Sequence, residues 1–367
     1  MDKIKKNFGF GCMRLQMVGE EVDYEEFSRM IDTFLEAGFN YFDTAHGYIS
    51  GKSETAIRDC LAARHPRESY ILTNKLSPGF FKTREEIRPL FESQLQLCGV
   101  EYFDFYLMHA LNNERFEFFQ QVGAFDEALQ LKAEGKIRHM GISFHDKAAV
   151  LDRILTERPE IEVVQIQFNY MDYEDLNVES RACYEVCRKH NKPVIVMEPV
   201  KGGKLALMSD DALEVYRQLG DMSAASYAIR FAAGHEGILM VLSGMGNMDM
   251  MNDNLSYMKD FQPLNEKELE AVEKVTDILT KQNQVACTGC QYCVDGCPAG
   301  IQIPDLFTCL NAKRVFHDPG ADALYKTHTE NAGKASACVD CGQCEEACPQ
   351  HLPIRQLLKL TAKIFET

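Results

Sequence analysis

Positive charge and long apolar runs are both scarce in this sequence of 367 residues. Its 55 Asp and Glu residues outnumber the 39 Lys and Arg residues, which gives a formal net charge of −16 at pH 7. Nucleic acids and anionic membrane surfaces attract basic proteins, so this charge argues against both as partners. Apolar runs such as 193–200 and 237–244 have the length of a strand, whereas a membrane-spanning helix needs about 20 residues. We therefore expect no membrane span.

A signal peptide is also missing from the N-terminal segment, which has neither the apolar stretch nor the small-residue cleavage site. We therefore expect a cytoplasmic protein. The cytosol keeps thiols reduced, so the 14 cysteines should not form disulfides. Eight of them lie between residues 287 and 348 in two groups of four, which indicates metal binding. Of the other six, Cys60, Cys98, Cys183, Cys187 and Cys309 should be small core residues, whereas Cys12 ends the first predicted strand and is left as a candidate for the functional site.

Most of the chain alternates between short apolar runs and segments with the apolar spacing of a helix. Strands are predicted at 8–13, 41–45, 70–75, 103–109, 138–144, 163–168, 193–199 and 238–244. Helical segments include 24–37, 53–64, 84–99, 125–134, 176–190 and 248–258. This alternation predicts an α/β fold of the (β/α)₈ TIM-barrel type. A doubly wound sheet is the alternative, but it usually has fewer strands, and no GxGxxG motif follows any of these.

A connecting helix is predicted over residues 266–281, because Asn265 is a favourable N-cap and acidic residues occupy the first turn. The cysteine-rich segment begins directly after it. We therefore predict two domains, a barrel with its connecting helix over residues 1–280 and a metal-binding domain over residues 281–367.

The two groups of cysteines share one spacing. They are Cys287-x2-Cys290-x2-Cys293-x3-Cys297-Pro298 and Cys338-x2-Cys341-x2-Cys344-x3-Cys348-Pro349. Each iron of a [4Fe–4S] cube takes one thiolate, and three cysteines separated by two residues can bind three of the four irons. Zinc also binds CxxC pairs, but it has no use for the third closely spaced cysteine or for the following proline. The repeated pattern predicts two [4Fe–4S] clusters.

In its ligand pattern this segment resembles bacterial-type ferredoxins, in which the fourth cysteine of each motif binds the other cluster. Its 40-residue spacer is longer than usual, and segments 303–316, 321–334 and 352–364 have helical patterns. The resemblance is therefore to the mostly α-helical ferredoxin variant of some respiratory dehydrogenase subunits. It implies two crossed ligand sets, Cys287, Cys290, Cys293 with Cys348, and Cys338, Cys341, Cys344 with Cys297.

Four polar residues follow the predicted strands two to four: Asp43, Tyr48, Lys75 and His109. Active sites of (β/α)₈ enzymes lie at the carboxyl ends of the strands, so these side chains should converge on one rim. Individually, each has an ordinary structural explanation, such as a helix cap, a surface charge or a packed polar side chain. All four together at the functional end predict an active site.

Several motifs in this region are similar to the aldo-keto reductase signature. They are the segments FDTAHGY (42–48), GKSE (51–54), TNK (73–75), LMH (107–109), GKIR (135–138) and GIS (141–143). The resemblance covers about residues 7–260 and, with the cysteines, extends to the subgroup that carries a C-terminal ferredoxin-type domain. It implies that Tyr48 is the proton donor, that Lys75 and Asp43 lower its pKa from about 10, and that His109 orients the substrate oxygen. Because relatives that reduce C=C bonds tend to carry Glu in place of His109, C=O reduction is favoured.

The nucleotide site matches the family less well. By resemblance, Ser143 and Gln165 hold the nicotinamide carboxamide, but Phe144 replaces the usual Asn and Met197 replaces the usual aromatic residue. The segment from Ser243 through Gly244 to Asn254 resembles the phosphate-binding segment. Gly244 and Met250 stand where Lys and Arg would bind a 2′-phosphate, so NAD(H) is favoured over NADP(H).

These observations favour an oxidoreductase, a carbonyl reductase or alcohol dehydrogenase linked electronically to two [4Fe–4S] clusters, with a small carbonyl or alcohol as substrate. In one alternative the clusters are the electron source, and a ferredoxin or another electron-transfer protein is the partner. That reaction needs a flavin or a radical step, because clusters carry single electrons and hydride carries two. In another alternative the barrel is a scaffold and the clusters form a docking module. The set Asp43, Tyr48, Lys75 and His109 disfavours the scaffold.

Overall fold

Eight parallel strands close into a barrel in the computed structural model, which describes residues 1, 3–282, 284–315, 318 and 320–366. In chain order these are β1 (Phe8–Gly11), β2 (Tyr41–Asp43), β3 (Ile71–Leu76), β4 (Phe103–Leu111), β5 (Ile137–Phe144), β6 (Val163–Gln167), β7 (Val194–Met197) and β8 (Ile238–Ser243). Each strand pairs with its neighbour in sequence, and β1 pairs with β8. A short hairpin, Met17–Val18 with Glu21–Val22, follows β1. The predicted (β/α)₈ barrel is confirmed.

The barrel interior is filled by apolar side chains. They include the buried cluster of Tyr41, Ile71, Phe105, Leu107, Val163, Ile195, Met240 and Leu242. Gly141 in β5 leaves room for this packing, because a Cβ atom there would lie 2.5 Å from the Val163 side chain and 2.6 Å from its carbonyl oxygen. The interior is therefore a packed core, and polar groups are left to the strand ends.

Helices alternate with the strands along the chain. They are α1 (Tyr24–Glu36), α2 (Lys52–Ile57), which continues as a π-helical turn (Arg58–Ala62), α3 (Arg84–Cys98), α4 (Asn113–Gln121), α5 (Ala124–Ala133), α6 (Ala148–Glu157), α7 (Ser180–Lys189), α8 (Asp210–Arg217), α9 (Ala224–Ala233) and α10 (Met248–Met258). Short 3₁₀ turns occur at Arg67–Ser69 and Lys201–Gly203. The predicted helix at 176–190 begins four residues later, at Ser180. The connecting helix α11 (Glu266–Lys281) begins at a capping box of Asn265 and Glu268.

The cysteine-rich segment is mostly helical, as predicted. It contains α12 (Ile303–Arg314), α13 (Ala321–Thr329), a 3₁₀ turn (Ala335–Ala337), α14 (Gln343–Glu346) and α15 (Ile354–Phe365). The predicted helix end at 316 lies outside the described residues. Buried apolar residues of α12 and α15 form the core here, among them Leu306, Phe307 and Leu358.

The chain divides into two compact units. One contains Met1–Pro199 and Ala225–Leu264, and the other contains Val200–Ala224 and Asn265–Thr367. The second unit thus takes in α8 and the loop after β7 along with the cysteines. The division predicted between residues 280 and 281 stays a prediction.

Candidate active site and cluster-binding unit

A tight turn after β2 presents Tyr48. Ile49 and Ser50 have φ of +53° and +54°, in the left-handed region that β-branched residues rarely adopt. The turn is tied down by Ser53, whose hydroxyl donates to the Cys12 carbonyl at 2.8 Å and bonds Thr44 Oγ1 at 2.7 Å. These hydrogen bonds hold a strained backbone that fixes the position of the phenol.

Lys75 lies at the centre of the predicted catalytic group and is fully buried. Its Nζ donates to Asp43 Oδ1 at 2.6 Å, to the Thr44 carbonyl at 2.8 Å and to the Tyr48 hydroxyl at 3.3 Å. These bonds account for all three N–H groups of the ammonium, so the Tyr48 oxygen is an acceptor. Burial raises the pKa of Asp43, and the Lys75 ammonium and the Gln165 amide oppose that rise.

His109 is buried beside this group, with its ring centroid 5.9 Å from that of Tyr48. Its Nδ1 forms a 2.7 Å hydrogen bond with Ser77 Oγ, a contact that sequence analysis missed. Burial and then the positive charge of Lys75 hold the pKa of His109 well below 6.5. The imidazole is therefore neutral at pH 7, and Ser77 fixes its orientation.

Cys12 is fully buried near Asp43, since its backbone N–H donates to the Asp43 carbonyl at 2.8 Å. Burial raises the pKa of its thiol far above the usual range, and the Asp43 charge adds to the rise. A thiol that stays protonated is a packing group and not a nucleophile.

Ser143 and Gln165, the two candidates for binding the nicotinamide carboxamide, differ in whether their polar atoms already have hydrogen-bond partners. Ser143 Oγ accepts a hydrogen bond from the Ala110 N–H at 2.7 Å. Gln165 donates to Asp43 Oδ2 at 3.4 Å, and its buried Oε1 has no hydrogen-bond partner among the described residues. An unsatisfied buried carbonyl suits the amide N–H₂ of a nicotinamide ring, so Gln165 fits the implied cofactor.

At the predicted phosphate segment, the side chain of Asn254 forms two hydrogen bonds with other side chains. Its amide donates to Ser243 Oγ at 2.7 Å and its Oδ1 accepts from Tyr257 at 2.5 Å. A Cβ atom on Gly244 would lie 3.4 Å from the side chain of Arg14. At the start of α10, the Glu26 carboxylate accepts a hydrogen bond from the Met248 N–H at 2.9 Å.

The second cysteine motif shares a cavity with the last cysteine of the first. Cys297, Cys338, Cys341 and Cys344 line this space, together with Pro298 and Arg355. Among the described residues, no group of three or more His, Cys, Asp or Glu side chains could hold a single metal ion. Four thiols spread around a cavity suit a cluster that takes one thiolate per iron.

The other four cysteines of the two motifs are Cys287, Cys290, Cys293 and Cys348. Burial raises the pKa of the Cys293 thiol, and charges on Cys290, Cys287 and Cys348 raise it further, so these four side chains lie near one another. The Gly289 N–H donates to Cys287 Sγ at 3.4 Å, the kind of hydrogen bond that tunes cluster potentials. The residues of this unit therefore fit two clusters.

Within the second unit, the loop after β7 packs against residues at the start of the first motif and at the end of the second. Lys204 Nζ donates to the Val285 carbonyl, and Lys201 Nζ donates to Gln350 Oε1 at 3.1 Å. A Cβ atom on Gly202 would clash with the Thr288 carbonyl oxygen, and the φ of this glycine is +66°. Sequence analysis did not identify these residues, because their partners lie 81 and 149 positions away along the chain.

Comparison with known families accounts for both parts of the chain. Residues 7–277 match the model of the aldo/keto reductase family, about three quarters of the sequence. The chain belongs to the aldo/keto reductase family. Residues 286–353 match a 4Fe-4S dicluster domain, so the predicted combination of reductase and cluster domain is confirmed.

Individual relatives of this aldo/keto reductase are distant. An uncharacterized oxidoreductase of Bacillus subtilis is 23% identical over 299 residues, which cover 73% of this chain and 92% of that protein. An NADH-specific methylglyoxal reductase of Escherichia coli is 28% identical over 202 residues, 48% of this chain and 57% of that protein. An aldo-keto reductase of Klebsiella pneumoniae in complex with NADPH superposes with a TM-score of 0.58 at 18% identity, covering 74% and 90% of the two chains. At this identity the superposition shows the fold alone.

This aldo/keto reductase is therefore an oxidoreductase with an iron–sulfur domain. Across the part of the chain that the structure describes, no helix is both long and apolar enough to cross a membrane.

Proposed function

We propose that the protein is an NADH-dependent carbonyl reductase or alcohol dehydrogenase that exchanges electrons with two [4Fe–4S] clusters. The observation that carries the proposal is the hydrogen bond from the Lys75 ammonium to the Tyr48 hydroxyl at 3.3 Å. A carbonyl that accepts hydride becomes an alkoxide and needs a proton, and a phenol beside a buried ammonium is an effective acid at neutral pH.

Each residue of the site has a proposed part in moving or holding that proton. Tyr48 gives its proton to the oxygen of the new alcohol. Lys75 stabilises the phenolate that remains, and Asp43 at 2.6 Å offsets the cost of burying the ammonium. Neutral His109, oriented by Ser77, forms a hydrogen bond with the same substrate oxygen. When bound, nicotinamide supplies the hydride.

NADH is the proposed nucleotide, with Gln165 and Ser143 holding the carboxamide. Gly244 and Met250 leave the phosphate segment without the cations expected for a 2′-phosphate, and the Glu26 carboxylate occupies the first N–H of α10. Helix N-termini favour anions, so a carboxylate there competes with a phosphate and repels it. Arg14, beside Gly244, is proposed to serve phosphates that both nucleotides share. The similarity to an NADH-specific relative supports the same choice.

We also propose the crossed cluster ligation, with Cys348 completing the set of Cys287 and Cys297 completing the set of Cys338. When bound, the two clusters transfer single electrons. Exchange with nicotinamide would require the two electrons of a hydride to pass in two successive single-electron steps, one to each cluster, with release of the proton to solvent. A small carbonyl or alcohol substrate and a separate electron-transfer partner are further parts of this proposal.

A double-mutant cycle tests the proton donor. Tyr48→Phe should lower carbonyl reduction by a factor of about 10² or more, the usual worth of a positioned acid. Lys75→Met should be nearly as harmful, and the two losses should not add because both act through one phenol. The measurement is kcat/KM with NADH, alongside iron content to verify the clusters.

The matched control is Tyr184→Phe, which removes a hydroxyl that bonds the Glu236 carbonyl at 2.7 Å on the barrel exterior. It should retain wild-type activity. Full activity of Tyr48→Phe with a good carbonyl substrate would show that another group donates the proton.

A further inference from the structure

The backbone turns sharply just after His109. Ala110 has φ of +56°, and the pairing of β4 with β5 is irregular between Met108 and Leu111. Bulges of this kind often occur beside active sites, where they redirect side chains. The turn brings the start of α4 and the end of β5 next to the catalytic histidine.

Arg115 comes from the first turn of α4, which begins at the N-cap Asn112. Its Nη1 donates to the Ala110 carbonyl at 2.9 Å, so the guanidinium lies against the residue that follows His109. The side chain is half-buried. Its charge is among the causes that lower the pKa of His109, after burial, Lys75 and His145, which agrees with this proximity.

Two further polar side chains flank the same turn from β5 and β6. The His145 N–H donates to the Leu111 carbonyl at 2.7 Å, and its Nδ1 lies 3.4 Å from Gln167 Oε1. Gln167 is 5% exposed, and its Nε2 has no hydrogen-bond partner within the described part of the chain. This buried N–H₂ group is a donor that an oxygen-bearing ligand would satisfy.

Two carboxylates of this region already accept hydrogen bonds from the protein. Asp43 is paired with Lys75 at 2.6 Å. Asp146, which follows His145, accepts hydrogen bonds from the backbone N–H groups of Asn113 at 2.8 Å and Lys147 at 2.7 Å. The rim beyond His109 is therefore rich in donors, although the chain as a whole carries a charge of −16.

We propose that Arg115 binds a carboxylate on the substrate, with the Gln167 amide and His145 as further hydrogen-bonding groups. The substrate class is then a 2-oxo acid or an aldehyde that bears a carboxylate. A guanidinium matches a carboxylate through two parallel hydrogen bonds, and it gains strength where water is partly excluded. The inference rests on the proposed carbonyl reduction and names the substrates of that same site.

Acid and ester pairs test this substrate class in the cluster-loaded protein. The pairs are pyruvate with methyl pyruvate, and succinic semialdehyde with its methyl ester, each assayed with NADH. The wild type should prefer the acid of at least one pair. Arg115→Gln should lower the acid-to-ester ratio of kcat/KM by about tenfold or more, the usual worth of a charge-assisted bond. Arg115→Lys should restore part of that ratio. The control Arg181→Gln, on the exposed face of α7, should leave the ratio unchanged.

A binding measurement separates anion recognition from catalysis. Oxamate, an unreactive analogue of pyruvate, is titrated calorimetrically into wild type and Arg115→Gln with NADH present, and neutral oxamide is the comparison. Roughly tenfold weaker oxamate binding by the variant supports the inference. Failure of every protein to reduce any of the four carbonyl compounds would reject the proposed function and would leave this binding result intact. Equal oxamate affinities, no oxamate binding by the wild type, or a ratio unaffected by Arg115→Gln would overturn it.

Discussion

The Glu26 carboxylate accepts a hydrogen bond from Met248 at the start of α10, 222 positions away along the chain. If this carboxylate opposes a 2′-phosphate, its removal should relax the choice of nucleotide. We expect Glu26→Gln to bind NADPH more tightly relative to NADH than the wild type does, because a neutral amide no longer repels the phosphate. Fluorescence titration with both nucleotides measures the change.

The neighbouring Glu25→Gln is the control, because Glu25 is an acidic residue of the same first helical turn. It removes the same charge without touching Met248 and should leave the preference as it is. A tenfold preference of the wild type for NADPH, about 1.4 kcal/mol, would contradict both the role of Glu26 and the choice of NADH.

The buried imidazole of His109 makes the free energy of unfolding depend on pH. Its folded pKa lies well below 6.5, mainly because of burial. The unfolded chain therefore takes up a proton near pH 6.5 that the folded chain does not, so the free energy of unfolding falls as pH drops below that value. We expect the ¹⁵N signals of His109 to stay those of a neutral imidazole from pH 8 to 6.

Selective labelling of histidine makes the other nine histidines internal controls. His109→Gln identifies the signal and should lessen the loss of stability in acid, measured by urea unfolding between pH 7.5 and 5.5. A His109 signal that titrates near pH 6.5 would show that the ring is solvated or paired with an acid.

Among the elements, the loop before α15 carries Cys348, whose side chain lies near Cys293 of the first motif. If the ligation is crossed, Cys348→Ser should damage the cluster held by Cys287, Cys290 and Cys293, although the Cys338–Cys344 motif is nearer in sequence. Iron analysis and electron paramagnetic resonance of the reduced protein distinguish the two clusters.

The matched control is Cys309→Ala, since Cys309 lies in the core of the same unit on α12 but in neither motif. It should keep both clusters. Damage confined to the cluster of Cys338, Cys341 and Cys344 would mean that each motif binds its own cluster.

At the scale of elements, the strands and the cysteine module were predictable because their signals are local. An apolar run followed by a helical pattern is visible in any short window, and the same holds for a CxxCxxC motif. Helices were less visible where they are short or variably apolar, as in α4 and α8, which sequence analysis did not single out. Asp43, Tyr48, Lys75 and His109 could be named because a barrel rim collects strand ends.

Residues that act through long-range contacts could not be predicted. Ser77, Arg115 and Gln167 have no motif of their own, and each became a candidate only through its neighbours in the fold. Glu26 reads as an ordinary acidic residue in the first turn of a helix until Met248 is found beside it.

For the whole molecule, the proposed coupling of barrel and clusters makes a spectroscopic prediction. Adding NADH to the oxidised protein without oxygen should bleach the visible absorption of the clusters, because the proposed exchange passes the two electrons of a hydride to them in two single-electron steps and releases its proton. Dithionite, which reduces clusters directly, calibrates full bleaching. Bleaching by dithionite alone would indicate that the clusters serve a separate partner.

The close approach of Gly202 to Thr288 makes one position a condition for the way this unit is assembled. The loop after β7 is encoded some eighty codons upstream of the first cysteine motif, yet it leaves no room for a Cβ atom against that motif. A barrel that carried any other residue at this position could pack the same cysteine segment only if the loop or the motif followed a different course. Transplanting the cysteine segment onto another barrel would therefore require the loop after β7 to be transplanted with it.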